Sequence, residues 1–171
     1  GETFGADKLV PVSGPGHLVT SFGISVMSAT FDVMDELIAA GVKAKFPFTV
    51  DPRPLDFENV PCSLLQNVVF RVMYGKQKYY EDQLTKLGLK SADSFTCTCY
   101  MPEVGNQPKR GDILSWSESS AVVYANSVLG ARCNRNSAFM DLFGAIVGKV
   151  PNFDLLTDEG RKARWVIEVK T

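Results

Sequence analysis

Apolar side chains recur at Phe31, Met34, Leu37 and Ile38, the spacing that lines one side of a helix. The run Ser28 to Ala40 is therefore predicted to be helical, with Gly41 as its C-terminal cap. Ser63 to Leu87 is the longest helical stretch, divided in two near Gly75 and stopped by Gly88. Ser117 to Val128 reads as a helix with Ser117 as N-cap and Glu118 in its first turn. Ser137 to Val147 reads as another, closed by Gly148 and Pro151. Between these lie shorter β-like runs at Lys8–Ser13, Val42–Val50, Ser94–Tyr100 and Trp165–Lys170. Pro47 marks the second of them as an edge strand or an early end. Ser13 to His17, Asp51 to Pro61 and Met101 to Gly111 carry the proline and glycine of loops. No internal repeat or low-complexity segment interrupts this alternation of strands and helices. The fold class is thus α/β, a mixed or parallel sheet under helices. A strand at the very end, with nothing after it to cover the sheet, suggests that the domain continues beyond Thr171.

With 171 residues the chain is long enough for one domain that buries roughly 70% of its unfolded surface. Its hydrophobic content of 45% and charged content of 22% are ordinary for a globular protein. Eighteen Lys and Arg against 19 Asp and Glu give a net charge of −1, without any basic arm. Nucleic acid and anionic membrane surfaces are thereby disfavoured as main partners. No apolar run approaches the length of a bilayer span, and the start lacks a signal-peptide pattern. The first residue is Gly1, as in a trimmed start or a fragment. Four cysteines are too few for a disulfide-dense secreted scaffold, which points to a reducing, cytoplasmic compartment.

The chemistry concentrates between Thr96 and Arg135, where thiols, hydroxyls, amides and guanidinium groups crowd into forty residues. That mixture suits a small polar, anionic ligand, with or without a metal. Cys97 and Cys99, two apart on a strand, would present both thiols on one face. Thiolates bind zinc, iron or iron–sulfur centres, yet the same pair also reads as two small hydrophobes in a sheet. His17, the single histidine, sits in a glycine-flanked loop after a strand, as a donor, an acid or base, a ligand, or simply an exposed side chain. Ser13-Gly14-Pro15-Gly16 could offer backbone N–H groups to an anion, without matching a nucleotide fingerprint. Glu118-Ser119-Ser120 at a helix start could help to hold a carboxylate, although a capped helix explains it as well. Arg132, Asn134 and Arg135 flank Cys133 just after Gly130, and arginine forks match carboxylates and phosphates. Against a reading as plain surface charge stand the small residues before them and the polar Asn126 among apolar neighbours.

These residues also carry a resemblance. Thr96-Cys97-Thr98-x-Tyr100, Gly105-Asn106, Trp116-x-Glu118-Ser119-Ser120-Ala121-Val122 and Tyr124 to Arg135 resemble the catalytic large part of the aconitase X family. The likeness extends back to Ser13-x-x-x-His17 and forward to Leu156-Thr157-Asp158-Glu159-Gly160-Arg161. It implies a layered α/β/α fold and an aconitase-type hydro-lyase, completed by a small swivelling domain, fused or separate. It implies an iron or iron–sulfur centre held by cysteines, with Cys97 as a ligand. It implies a substrate pocket lined by His17, Asn106, Ser119, Asn126, Arg132, Asn134 and Arg135. Residues 1–171 would be part of the large domain. The remaining cysteine ligands, the small domain and its serine base would lie outside them, so this stretch alone would be inactive. Cys99 stands where many relatives have proline and Cys133 where they have threonine, so neither is assigned to the metal. Phe48 to Asp56 differs from the archaeal pattern, which points to cis-3-hydroxy-L-proline as substrate, with mevalonate 5-phosphate as the alternative. A binding or regulatory domain that keeps the fold without catalysis is the alternative of another class.

Overall fold

The protein enters its sheet through Leu9–Pro11 (β1), bends at Gly14 and runs into Gly16–Leu18 (β2). A computed structural model describes all residues except 20–22, 26, 57, 58, 92, 170 and 171. Ser28–Ala39 forms α1, Phe48–Val50 β3, Leu64–Met73 α2 and Gln77–Leu87 α3. Ser119–Tyr124 forms α4, which continues as a π-helical turn over Ala125–Leu129. Ala138–Val147 forms α5 and Lys149–Pro151 β4. The predicted helices stand where their periodicity put them. Ser63 closes a capping box with Gln66 at the start of α2, and Gly88 ends α3.

β2 and β3 pair in parallel, with His17 opposite Thr49. Single parallel bridges widen this ladder: Phe48 to Leu89, Val50 to Phe95, His17 to Trp116 and Ile113 to Arg132. Five chain segments thus run side by side in one direction, the parallel arrangement expected of an α/β fold. β1 pairs antiparallel with β4 beside them, Val10 opposite Val150.

Alternation along the strands splits the molecule into layers. Leu18, Phe48 and Val50 point into one core with Phe31 and Met34 of α1, Leu84 and Leu87 of α3 and Leu142 and Ala145 of α5. Each such side chain removed from water contributes about 1.5–3 kcal/mol. Leu114 and Trp116 point the other way and pack with Ala121 and Val122 of α4, Ala125, Ala131, Cys99 and Cys133. α5 reaches the sheet closely because residue 144 is glycine: a Cβ there would come within 2.1 Å of Ser115 Oγ. Gln83 ties α3 to α1, its Nε2 donating to Phe31 O at 2.9 Å and Asp35 Oδ1 at 2.8 Å. α2 buries none of its residues, and Leu64, Leu65, Val68 and Val72 are all more than half exposed.

Four expectations change. His17 is not in a loop but in the middle of β2, fully buried, where Thr49, far along the chain, partners its Nδ1. Val42–Val50 becomes a strand only from Phe48, after Pro47. Ser94–Tyr100 is not a strand: after the single bridge at Phe95 the chain bends, and Met101 N bonds to Thr98 O at 3.0 Å. Cys97 is therefore exposed while Cys99 is buried, so the two thiols do not share a face. Residues 165–169 are exposed and not in a strand, with no strand beside them among the described residues; Lys170 lies outside the described residues. Phe57 and Glu58, within the loop expected over Asp51–Pro61, lie outside them as well.

Candidate active site

In parallel sheets the carboxyl ends of the strands form the natural binding edge, because helices leave from there and side chains converge. Here that edge collects the residues just after β2, β3 and the segments ending at Phe95, Trp116 and Cys133. They are Val19, Asp51, Cys97, Ser117 to Ser119, and Asn134 to Ser137. A cavity of about 510 Å³ is lined by Val19, Ser117, Ser119, Arg135, Asn136 and Ser137, among others. Arg135, Asn136 and Ser137 also line a second cavity of about 700 Å³ that reaches Phe153 and Asp154.

The floor of the site is a buried polar seam. His17 Nδ1 lies 2.9 Å from Thr49 Oγ1 across the ladder. Asn106 Nδ2 donates to Thr49 Oγ1 and to Gly16 O, both at 3.1 Å. The ring of His17 meets Trp116 edge-on, with centroids 6.0 Å apart, and the Trp116 Nε1–H donates to Pro15 O at 3.0 Å. His17 Nε2 faces Asp51 Oδ1 at 3.3 Å. Asp51 is fixed through its backbone, whose N–H donates to Leu18 O at 2.9 Å.

The rim is set by the start of α4. Glu118, not Ser117, is the N-cap: its carboxylate accepts from Ser120 N at 2.9 Å, from Ser120 Oγ and Ala121 N at 2.6 Å each, and from Ser119 Oγ at 3.3 Å. Burial would raise its pKa, but these hydrogen bonds outweigh it and hold the carboxyl below the usual range. Ser117 instead turns inward, its Oγ accepting from Val19 N at 2.9 Å and donating to His17 O at 3.3 Å.

Cys97 opens to solvent at this edge. Burial first, then the negative charges of Asp51 and Glu118, push its thiol up. Cys99 and Cys133 are sealed in the core with Trp116, and burial drives both thiols far above their ordinary value. Cys133 Sγ also donates to Asn134 O at 3.3 Å. A thiolate ligand for iron must be reachable from the cleft. Cys97 meets that condition, and Cys99 and Cys133 do not. Among the described residues no group of three or more His, Cys, Asp or Glu is gathered as a complete metal cage.

The residues singled out from the sequence fall into two groups. His17, Asn106, Ser119, Arg135 and Cys97 lie on the seam or at the strand-end edge. Asn126, Arg132 and Asn134 are engaged in holding loops. Asn126 exchanges bonds with the backbone of Cys133, at 2.8 and 3.2 Å, and Asn134 clamps Phe153 O and Leu155 N, each at 2.9 Å. Arg132 donates to Leu156 O at 3.0 Å and pairs with Asp158. Thr49, Asp51 and Ser117 join the site without having been singled out. Asp51 carried a legible sign: it directly follows an apolar run and precedes Pro52, as a strand-end residue does.

Comparison with known proteins fits this geometry. Residues 1–159 match the model of the aconitase X first domain. The chain is 34% identical to the phosphomevalonate dehydratase large subunit of Thermococcus kodakarensis over 172 residues, 99% of this chain and 39% of that protein. It is 32% identical to the one from Methanocaldococcus jannaschii, over 99% of this chain and 40% of that protein. With the cis-3-hydroxy-L-proline dehydratase of Pseudomonas aeruginosa identity rises to 42%, over 84 residues, 49% of this chain and 14% of that protein. The crystal structure of Thermococcus kodakaraensis aconitase X in its holo-form superposes with a TM-score of 0.74 at 33% identity, covering 95% of this chain and 37% of that one. The chain thus spans about two fifths of the length of the curated large subunits it matches.

Proposed function

Because the chain belongs to the aconitase X family, we propose that residues 1–171 form part of the catalytic large domain of a hydro-lyase. The reaction is removal of water from cis-3-hydroxy-L-proline. The observation that carries this reading is the strand-end edge itself. It brings the buried His17–Thr49–Asn106 seam, Asp51, the open thiol of Cys97 and the free guanidinium of Arg135 to one side of a parallel sheet.

In this reading Cys97 is one protein ligand of an iron or iron–sulfur centre, and the other ligands come from polypeptide outside residues 1–171. When bound, such a centre supplies a Lewis acid for the departing hydroxyl. Arg135 holds the substrate carboxylate through a charge-assisted pair and steadies the charge that grows there as the adjacent C–H bond breaks. Ser119 adds a hydroxyl donor at the rim. The His17 seam keeps the floor rigid and polar. The base comes from a small swivelling domain or subunit, and the partnership is cytoplasmic. Among the described residues no helix is long and apolar enough to cross a membrane.

Two observations bear on the substrate. The stretch shared with a cis-3-hydroxy-L-proline dehydratase is the more similar one, at 42%. The relatives that align over the whole chain are named phosphomevalonate dehydratase large subunits, which keeps mevalonate 5-phosphate as the second reading. The test is the complete large subunit with its small partner, loaded with iron under anaerobic conditions and offered both compounds side by side. Turnover of cis-3-hydroxy-L-proline is expected. Turnover of mevalonate 5-phosphate alone would replace the first reading by the second, and turnover of neither would remove the hydro-lyase assignment.

A further inference from the structure

Two atoms at the centre of the candidate site have no hydrogen-bond partner among the described residues: His17 Nε2 and Asp51 Oδ1. They stand 3.3 Å apart, close enough for charge to matter but out of line for a hydrogen bond. Thr49 and Asn106 serve the far side of the His17 ring, and the backbone of Asp51 is locked to Leu18. An unmet carboxylate oxygen in a buried setting is costly unless something else occupies it. Both unmet atoms lie beneath the surface, yet the Asp51 carboxylate is not closed off, since 16% of its side chain reaches solvent at the strand-end edge.

The charges along that edge are arranged with polarity. Asp51 and Glu118 are close enough to Cys97 for their negative charge to bear on its thiol. Arg53, two residues beyond Asp51, is turned away: it pairs with Glu81 at 2.9 and 3.1 Å and lies over the Phe95 ring at 4.1 Å. Among the described residues, the one cationic side chain lining the adjoining 510 Å³ cavity is Arg135. A carboxylate on one flank and a guanidinium on the other complement a zwitterion. They oppose a phosphate ester, which would set two or more negative charges against Asp51 and Glu118.

We propose that Asp51 is the specificity-determining residue of the site: the solvent-reaching edge of its carboxylate binds the cationic nitrogen of an α-amino or α-imino acid, whose carboxylate pairs with Arg135. This deepens the hydro-lyase reading and rests on it for the location of the site. His17, fully buried, backs that carboxylate from beneath, its Nε2 3.3 Å from Asp51 Oδ1.

The test uses the complete large subunit with its small partner and two non-reactive probes of equal size, L-proline and tetrahydrofuran-2-carboxylate. They differ in the cationic nitrogen that Asp51 would read. By calorimetry the unmodified protein should bind L-proline at least about tenfold more tightly, as a charge-assisted bond in a partly buried site would give. Asp51→Asn, matched in shape, should reduce that preference to within about twofold, and Asp51→Glu should retain a preference. Equal binding of the two probes to the unmodified protein, or binding of neither, overturns the proposal without any variant being needed. A preference that survives in Asp51→Asn also overturns it. A preference lost in Asp51→Asn, in a protein that dehydrates neither candidate substrate, would uphold Asp51 as a reader of cationic nitrogen while the hydro-lyase reading fell.

Discussion

Arg161 places Nη1 2.7 Å from Asn126 Oδ1, joining two residues 35 apart in sequence at the π-helical turn that follows α4. The same guanidinium donates to Ala131 O at 3.2 Å and to Asn126 O at 3.3 Å. It therefore neutralises carbonyls that the end of the turn leaves without helical partners, where Gly130 takes φ 70°. Wide helical turns of this kind occur mostly where a chain must re-aim side chains. Here the turn delivers the segment Ala131–Arg135 to the sheet edge.

Arg161→Ala should destabilise the protein by about 2–4 kcal/mol, because three charge-assisted bonds go and Asn126 loses a partner. Urea unfolding of variant and parent measures it. A change below about 0.5 kcal/mol, the ordinary value for a surface substitution, would show that the turn holds without Arg161.

Thr49→Val keeps the shape of β3 while removing the oxygen shared by His17 and Asn106. The expected loss is about 1–3 kcal/mol, the cost of leaving buried polar groups unmet. The imidazole NMR signals of His17 should shift in the same variant. For comparison Phe48→Ala, next in the strand and 0% exposed, should cost about 3–5 kcal/mol through the cavity it leaves. Equal stability of Thr49→Val and parent would mean that the seam is not holding His17.

Asp141 sits fully buried on α5, with Oδ1 accepting from Ser115 Oγ at 2.7 Å and from Asn136 Nδ2 at 3.2 Å. Burial pushes its carboxyl up to about 7, against the hydrogen bonds that lower it. The folded state thus binds a proton that the unfolded chain releases near pH 4. Stability should fall as pH rises from about 4 to about 7 and level off above, by up to about 4 kcal/mol for a shift of this size. Asp141→Asn, which keeps the acceptor oxygen, should abolish that slope and be the more stable protein at pH 8. Denaturant midpoints at pH 5 and pH 8 decide it, and parallel slopes in both proteins would refute it.

Thiol accessibility separates the cysteines. Iodoacetamide on the folded protein should modify Cys97, while Cys99 and Cys133 react only after denaturation. Peptide mass spectrometry reads the order. In the complete protein Cys97→Ser should abolish iron retention and Cys99→Ser should not; equal loss from both would displace Cys97 as the ligand.

The helices were legible because each carries local instructions. Ser63 with Gln66, Ser137, Gly88 and the spacing of Phe31 and Met34 act within a turn or two of themselves. The strands were legible only in part: Leu9–Pro11 and Phe48–Val50 fall inside predicted runs, but three residues of buried parallel strand offer little alternation to read and owe their pairing to distant segments. His17 illustrates the difference. From its neighbours it belongs to a Gly/Pro turn, and only Thr49, Asn106 and Trp116, from 32 to 99 positions away, make a strand interior tolerable to an imidazole. Trp165 to Val169 is the converse: it alternates as a strand should, yet stands exposed, with no neighbouring strand among the described residues. The candidate site was legible in composition but not in arrangement. Asn126, Arg132 and Asn134 look like ligand groups in the sequence; in space they bond to neighbouring loops, Arg132 and Asn134 while also lining cavities, whereas Asp51 looks like the start of a loop and stands at the strand-end edge.

The pairing of His17 with Thr49 carries one further meaning. Leu18, beside His17, and Phe48 and Val50, on either side of Thr49, point into the opposite layer. A slip of one residue in this ladder would send the imidazole into oil and the leucine into the seam. The candidate site and the hydrophobic core therefore share a single lock. No folded form of this sheet can keep its core and misplace its seam, so the precision of the site comes as a by-product of stability itself.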